Sequence, residues 1–302
     1  MTGVSTPYLY RSLTSTLGDK TSPLLRYMRE TFPKTLPVRR EFKAASGEIV
    51  VPSMGSTAST VGTAFDVVVQ YMLDPDRPPF EAVGFFTGDM ATAVLEVAMT
   101  ARNAVTTDAD GSDEVFLRAC WALALCTQVY RAGGIYPGST LDRLIDSGRF
   151  DADALITLAP TEPDIAELNA VCMLAQERLF PRLDFMEGPV HLGPQFAGSE
   201  HCPADADLVV NRCLVELKCA LGDKVDAPGG RVDYPAAKTI HQMLGYVLFD
   251  FDDEYELNSV ALYSARFGTF VQWPLQDFLD RTAGRPVVLS EERAAVRALV
   301  TS

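Results

Sequence analysis

Asp207-Leu-Val-Val-Asn-Arg-Cys-Leu-Val-Glu216, followed at once by Leu217-Lys218, is the stretch on which the reading of this chain turns. An acidic residue opens one apolar run, Glu-x-Lys closes the next, and Asn211-Arg212 lies between them. Asn tolerates the positive φ that a two-residue hairpin turn requires. With the turn at Asn211-Arg212, Val210 opposes Cys213, and stepping outward sets Asp207 against Glu216 and Asp205 against Lys218. Strand side chains alternate faces. The polar groups therefore share one face, and Leu208, Val210, Cys213, Val215, Leu217 and Cys219 take the other.

Opposed side chains of an antiparallel pair sit about 5 Å apart at Cβ, and opposed like charges are destabilising. A sequence keeps two facing carboxylates most readily with a cation between them. Carboxylate oxygens suit Mg²⁺ or Mn²⁺ with water completing the coordination. Such an ion lowers the pKa of bound water and stabilises charge on a phosphodiester. Lys218 on the same strand face would orient the attacking water, help deprotonate it, or stabilise developing charge. The plainer alternative is an edge hairpin whose polar face meets water.

Downstream, a Pro/Gly/Asp loop (223–235) leads into a helix expected over 235–250. It carries His241-Gln242-Met-Leu-Gly-Tyr246, in which Gln242 and Tyr246 share a face with Lys238. Asp, hairpin, Glu-x-Lys, loop, helix with Gln-x-x-x-Tyr and strand together resemble the PD-(D/E)XK nuclease superfamily, in its RecB-like and lambda-exonuclease-like branch. The likeness covers about residues 164–274. It implies a central mixed β-sheet flanked by helices, a Mg²⁺- or Mn²⁺-dependent deoxyribonuclease, and Asp207, Glu216, Lys218, Gln242 and Tyr246 as the catalytic set. The metal ligands it implies are Asp207 and Glu216, with Asp205 beside them.

An upstream acid usually completes such a site. Val61-Gly62-Thr63-Ala64-Phe65-Asp66 resembles the family's Gly…His motif with Asp in place of His, so Asp66 is one candidate ligand. An acid favoured by the helix dipole is the other reading of Asp66, and Glu177 and Glu167 compete for the role. Pro203 is separated from Asp205 and Asp207, which leaves the choice of Asp open, with Asp207 favoured by the register. The four-cysteine pattern of some RecB-like exonucleases is missing, so no iron–sulfur cluster is expected.

The rest of the chain bounds this reading. The 302 residues are 47% apolar and 22% charged, as in a globular protein. A net charge of −14 argues against coating nucleic acid by bulk electrostatics. Residues 11–43 run against that balance, with eight basic side chains (Arg11, Lys20, Arg26, Arg29, Lys34, Arg39, Arg40, Lys43) and three acidic ones. They read as a phosphate-contacting arm, with Arg39, Arg40 and Lys238 as nucleic-acid contacts, or as a solvated helix face. DNA is the expected ligand, together with a protein partner or a second copy of the chain. No charged-then-apolar leader opens the sequence and no 18-residue apolar run occurs, so a cytoplasmic protein without membrane contact is expected.

The six cysteines form no Cys-x-x-Cys pair and read as buried thiols. The only soft-metal grouping, His201-Cys202 with Cys213 and Cys219, has no regular spacing. Ala227-Pro-Gly-Gly230 lacks the ending of a phosphate loop and reads as a loop beside the site. Ser199 has no His/Asp arrangement, and Trp273 reads as packing.

Segment by segment, 1–60 is expected to be an N-terminal arm with a basic helix and a short strand at Glu48–Pro52. Residues 61–160 form a helical region, with helices near 63–73, 87–105 and 113–132. Residues 161–302 form the nuclease-like core, with strands near 188–196, 205–210, 213–219, 257–266 and 268–274 and a last helix near 289–300. The alternative function is a catalytically inactive nuclease-fold subunit that binds nucleic acid or a protein partner. A protein-interaction module built on the helical region is a more distant one.

Overall fold

The computed structural model describes residues 8–107, 111–226 and 230–301. The loop expected at Ala227–Gly230 therefore lies outside them except for Gly230, as does Asp108–Asp110 of the Asp/Gly-rich helix connection. Two compact units emerge: Met1–Ile49 with Arg178–Leu217 and Gly222–Ser302, and Val50–Glu177 with Lys218–Leu221.

The first unit begins with helices α1 (Leu13–Thr16), α2 (Pro23–Thr31) and α3 (Thr35–Ala45). Ser22 caps α2 by accepting from Leu25 N–H, and Pro23 fills the first helical position, where no N–H partner is needed. Pro37 lies in the first turn of α3, where proline is tolerated for the same reason. A single basic helix was expected where three short ones occur. The expected strand at Glu48–Pro52 is not formed: that segment is bends and irregular chain.

The second unit is helical: α4 (Ala58–Leu73), α5 (Phe80–Val83), α6 (Gly88–Val105), α7 (Ser112–Ala132), α8 (Thr140–Asp146), α9 (Ala152–Leu158) and α10 (Glu162–Arg178). Central to it is α7, which packs against α4, α5, α6 and α9. Gly84 lets α5 approach, since a Cβ there would lie 2.8 Å from the Tyr130 ring. α7 ends at Gly133 in the left-handed conformation, with Gly134 N–H donating to Val129 C=O.

Returning to the first unit, α11 (Phe180–Phe185) precedes β1 (Val190–Leu192), β2 (Leu208–Val210) and β3 (Cys213–Lys218). A two-stranded ribbon, β4 (Asp223–Lys224) with β5 (Arg231–Val232), interrupts what was expected to be a loop. Then come α12 (Ala237–Phe249), β6 (Ser259–Ser264), β7 (Thr269–Pro274), α13 (Leu275–Ala283) and α14 (Leu289–Val300). The five long strands form an open mixed sheet in the order β1-β2-β3-β6-β7. β1–β2, β2–β3 and β6–β7 are antiparallel. Between β3 and β6 the chain crosses through α12, and Asn258 N–H donates to Arg212 C=O, joining the starts of the two strands.

One sheet face carries Val209, Leu214, Val260, Leu262 and Trp273 into a core with α2, α3, α12, α13 and α14. α12 is buried on nearly every side, with Gln242 half-exposed. Its Gly245 admits α1, because a Cβ there would come within 2.8 Å of Leu13. Among the described residues no helix is long and apolar enough to cross a membrane.

Candidate functional site

The hairpin forms in the register its sequence dictates. Val210 pairs with Cys213, Val209 with Leu214 and Leu208 with Val215. Asn211 and Arg212 both take positive φ (43° and 67°), as a type I′ turn requires. Extra ties hold the turn: Asn211 Nδ2 donates to Met186 C=O, and Arg212 Nε donates to Glu256 C=O.

Beyond Leu208 the ladder changes. Asp207 keeps its main chain on the β1 side, where its C=O accepts from Gly193 N–H at 2.9 Å. Its side chain reaches across to β3, where Oδ2 accepts from Leu217 N–H at 2.5 Å. A continued ladder would offer that N–H to the Ala206 carbonyl, so a carboxylate takes the place of a main-chain acceptor. Asp205 forms an isolated antiparallel bridge with Gln195, so the regular pairing that would set it against Lys218 stops short of it.

Glu216 is 1% exposed. The water-facing edge hairpin is thereby ruled out, since both β2 and β3 are buried and only Lys218, the last strand residue, is half-exposed. Asp207 is half-buried and Asp205 exposed. Tyr246, on α12, gathers these acids. Burial first, and then the charges of Glu216, Asp207 and Asp205, push its phenol well above the usual range. Gln242 Nε2 donates to Tyr246 Oη at 2.7 Å. The phenol therefore keeps its proton at neutral pH and remains a donor beside three carboxylates.

Aromatic packing fixes that phenol. The Phe196 ring stacks on Tyr246 at 5.8 Å, Tyr255 meets Phe196 edge-on at 5.3 Å, and Tyr255 Oη donates to Gln195 C=O at 2.8 Å. The sequence reading missed Phe196 and Tyr255. Neither shares a periodic pattern with Tyr246, and only the return of separate loops to α12 brings them together.

Asp66 is on α4 of the helical unit, half-buried. Glu167, fully buried on α10, accepts from Met54 N–H at 2.6 Å and Ser56 N–H at 3.3 Å, so its carboxylate ties down the chain before α4. Glu177 is exposed. Arg39 lies 4.2 Å over the Tyr234 ring and donates to Pro235 C=O at 2.6 Å, just before α12; Arg40 and Lys238 are exposed. Ser199 Oγ donates to Ala204 C=O at 2.6 Å, a loop-closing role. Among the described residues no cysteine is in a disulfide; five are buried, and burial pushes Cys202 and Cys213 up to about 11 and Cys126 up to about 12.

Among the described residues no three His, Cys, Asp or Glu side chains are grouped as ligands of a single ion. Mg²⁺ is commonly held by one or two carboxylates with water completing the shell. The hard-oxygen pair Asp207 and Glu216, with a crowd of negative charge around one phenol, fits that donor set and does not fit a soft metal.

No protein-family model matches this chain, and no curated protein or solved structure is significantly similar to it.

Proposed function

We propose that the chain is a metal-dependent nuclease of the PD-(D/E)XK type, RecB-like branch, that hydrolyses phosphodiester bonds of DNA. The observation that carries this reading is the convergence of Asp207, Glu216 and Asp205 on Tyr246, itself bonded to Gln242. Carboxylates buried or half-buried near one another repel, and a cation offsets that cost. Asp207 and Glu216 would hold Mg²⁺ or Mn²⁺, which supplies Lewis-acid stabilisation of phosphoryl charge and a more acidic water.

The chain's own groups do the rest. Lys218 shares the Glu216 face of β3 and carries the positive charge that would hold the attacking water or the developing oxyanion. Tyr246 donates its proton without losing it, and Gln242 fixes the phenol's orientation. The Leu217 N–H holds the Asp207 carboxylate in place. DNA cleavage of this kind serves repair, recombination or defence against mobile DNA. With a net charge of −14, engagement of DNA calls for a protein partner, a second copy or the basic segment of residues 11–43.

Plasmid cleavage with Mg²⁺ or Mn²⁺, comparing the wild type with Glu216→Gln and Lys218→Ala, tests the proposal. Each variant is expected to lose about 10²-fold or more in rate, the scale for removing one preorganised charge from a reacting site. Equal cleavage by all three would sink the assignment. One observation favours a second reading, an inactive nucleic-acid-binding subunit: the lack of a three-ligand group among the described residues. Absence of cleavage by the wild type, with oligonucleotide binding retained, would select it.

A further inference from the structure

The N-terminal segment of the sheet-bearing unit carries an open cavity of about 450 Å³ lined by Tyr8, Arg11, Ser15, Thr16, Gly18 and Asp19 among others. We propose that this cavity binds a backbone phosphate of the nucleic-acid strand presented to the carboxylate site, through Arg11, Ser15 and Lys238. This inference rests on the nuclease reading of that site.

Three observations carry it. First, the cavity is preorganised. Tyr8 Oη donates to Asp19 Oδ2 at 2.7 Å, and Asp19 Oδ1 accepts from Thr21 N–H at 2.8 Å and Thr21 Oγ1 at 2.7 Å, so the one acid in the wall is already engaged. The Arg11 carbonyl accepts from Thr16 Oγ1 at 3.2 Å and from Cys202 Sγ at 3.1 Å, and Leu13 N–H donates to Pro203 C=O at 2.8 Å. Arg11 is thus held by its backbone while its guanidinium is left exposed.

Second, a second cation meets the wall. The Lys238 ammonium lies beside Gly18, where a Cβ would be in ordinary contact with Nζ at 3.4 Å. Arg11 and Lys238 outweigh the single Asp19 charge. Ser15, which accepts from Ser12 Oγ at 3.0 Å, adds a hydroxyl donor. Arg and Lys with a hydroxyl are the side chains that contact phosphate oxygens without reading sequence.

Third, the cavity is in line with the proposed chemistry. Lys238, Gln242 and Tyr246 follow one another four residues apart on α12. Eight residues of helix span about 12 Å, which sets the separation of Lys238 from Tyr246 along α12. A strand whose reacting phosphate lies by Tyr246 and which runs along α12 would pass Lys238.

The test measures binding by the full-length chain, in EDTA, of a labelled single-stranded oligonucleotide between about 50 and 200 mM salt. Arg11→Ala/Lys238→Ala removes the cations from one phosphate and is expected to make log K less steep in log salt by about 0.7. Gly18→Asp, which places a carboxylate against Lys238, is expected to weaken binding in the same direction. Arg285→Ala/Arg297→Ala, an equal charge change at exposed positions outside both the cavity and residues 11–43, is expected to leave the slope nearer that of the wild type. Circular dichroism melts check that each variant is folded.

An unchanged slope in the cavity variants, or an equal change in the control, overturns the proposal. Free phosphate is the other source of the same chemistry. Thermal stabilisation by inorganic phosphate that the cavity variants abolish, with oligonucleotide binding unaffected by them, assigns the cavity to free phosphate and overturns the strand. Because binding is read without metal, the two readings fail separately. A slope change without any cleavage sinks the nuclease and keeps the cavity; loss of cleavage in Glu216→Gln with no slope change does the reverse.

Discussion

Asp207 does two jobs that one substitution separates. Its carboxylate stands in for a main-chain acceptor at Leu217 N–H, and it belongs to the proposed ion site. Asp207→Asn keeps an amide oxygen for that N–H, so its denaturant midpoint is expected to stay close to the wild type while cleavage falls with the lost charge. Asp207→Ala removes both and is expected to cost about 1–2 kcal/mol in urea unfolding as well. His241 gives a pH signature. Burial depresses its pKa, and Nε2 lies 3.4 Å from Phe32 C=O. The unfolded chain protonates this histidine near pH 6.5, so its contribution is fully present above that pH. It is lost as pH falls toward the depressed folded value. His241→Gln is expected to show a smaller fall in thermal midpoint between about pH 7 and 5 than the wild type. Arg293, 7% exposed, pairs with Asp250 at 2.9 Å and Asp253 at 2.7 Å and donates to Val247 C=O at 3.1 Å. Arg293→Ala strands the buried Asp250 carboxylate, for which about 3–5 kcal/mol of destabilisation is expected by equilibrium unfolding.

Among the elements, the hairpin was the most legible and the helices around it the least. Its turn needs two residues at positive φ, and a two-residue loop fixes register for every pair on either side. The pairing from Val210 to Leu208 follows directly. Gly193 N–H and Pro194 C=O hold the 205–207 segment to the β1 side, which no local pattern signals, and that ends the ladder before Asp205. Helix α13 was missed because Leu275–Ala283 follows a strand without a break, Pro274 serving as both strand end and helix cap. Glu48–Pro52 has strand-like composition, yet the segment runs as bends and irregular chain. Close packing depends on glycines at contact points. A Cβ on Gly198 would lie 2.6 Å from Phe249 Cγ and 3.1 Å from its Cα, where backbone limits relief. Gly198→Ala is expected to cost about 1–3 kcal/mol of overpacking, read as a lowered thermal midpoint.

For the whole molecule, the two units differ in how the chain builds them. The helical one is nearly all contiguous, Val50–Glu177, with only Lys218–Leu221 added from further along the chain. The sheet-bearing one is assembled from distant segments: Leu24, Met28, Phe32, Val38 and Phe42 of the N-terminal helices enter the same core as Val209, Met243 and Trp273. A fragment of residues 50–177 is therefore expected to melt cooperatively by circular dichroism, and one of residues 178–302 is not unless residues 1–49 are supplied. The sequence alone determined the hairpin register, the shared face of Asp207 and Glu216, and the i, i+4 pairing of Gln242 with Tyr246, because turn geometry and helical or strand period are local rules. Only the tertiary structure decided that Glu216 is buried, that Phe196 and Tyr255 clamp Tyr246, that the Lys238 ammonium lies beside Gly18, and that the basic N-terminal segment closes the sheet's core. Those outcomes depend on contacts between residues up to two hundred or more positions apart, and no period or spacing along the chain encodes which distant surfaces close-packing will join.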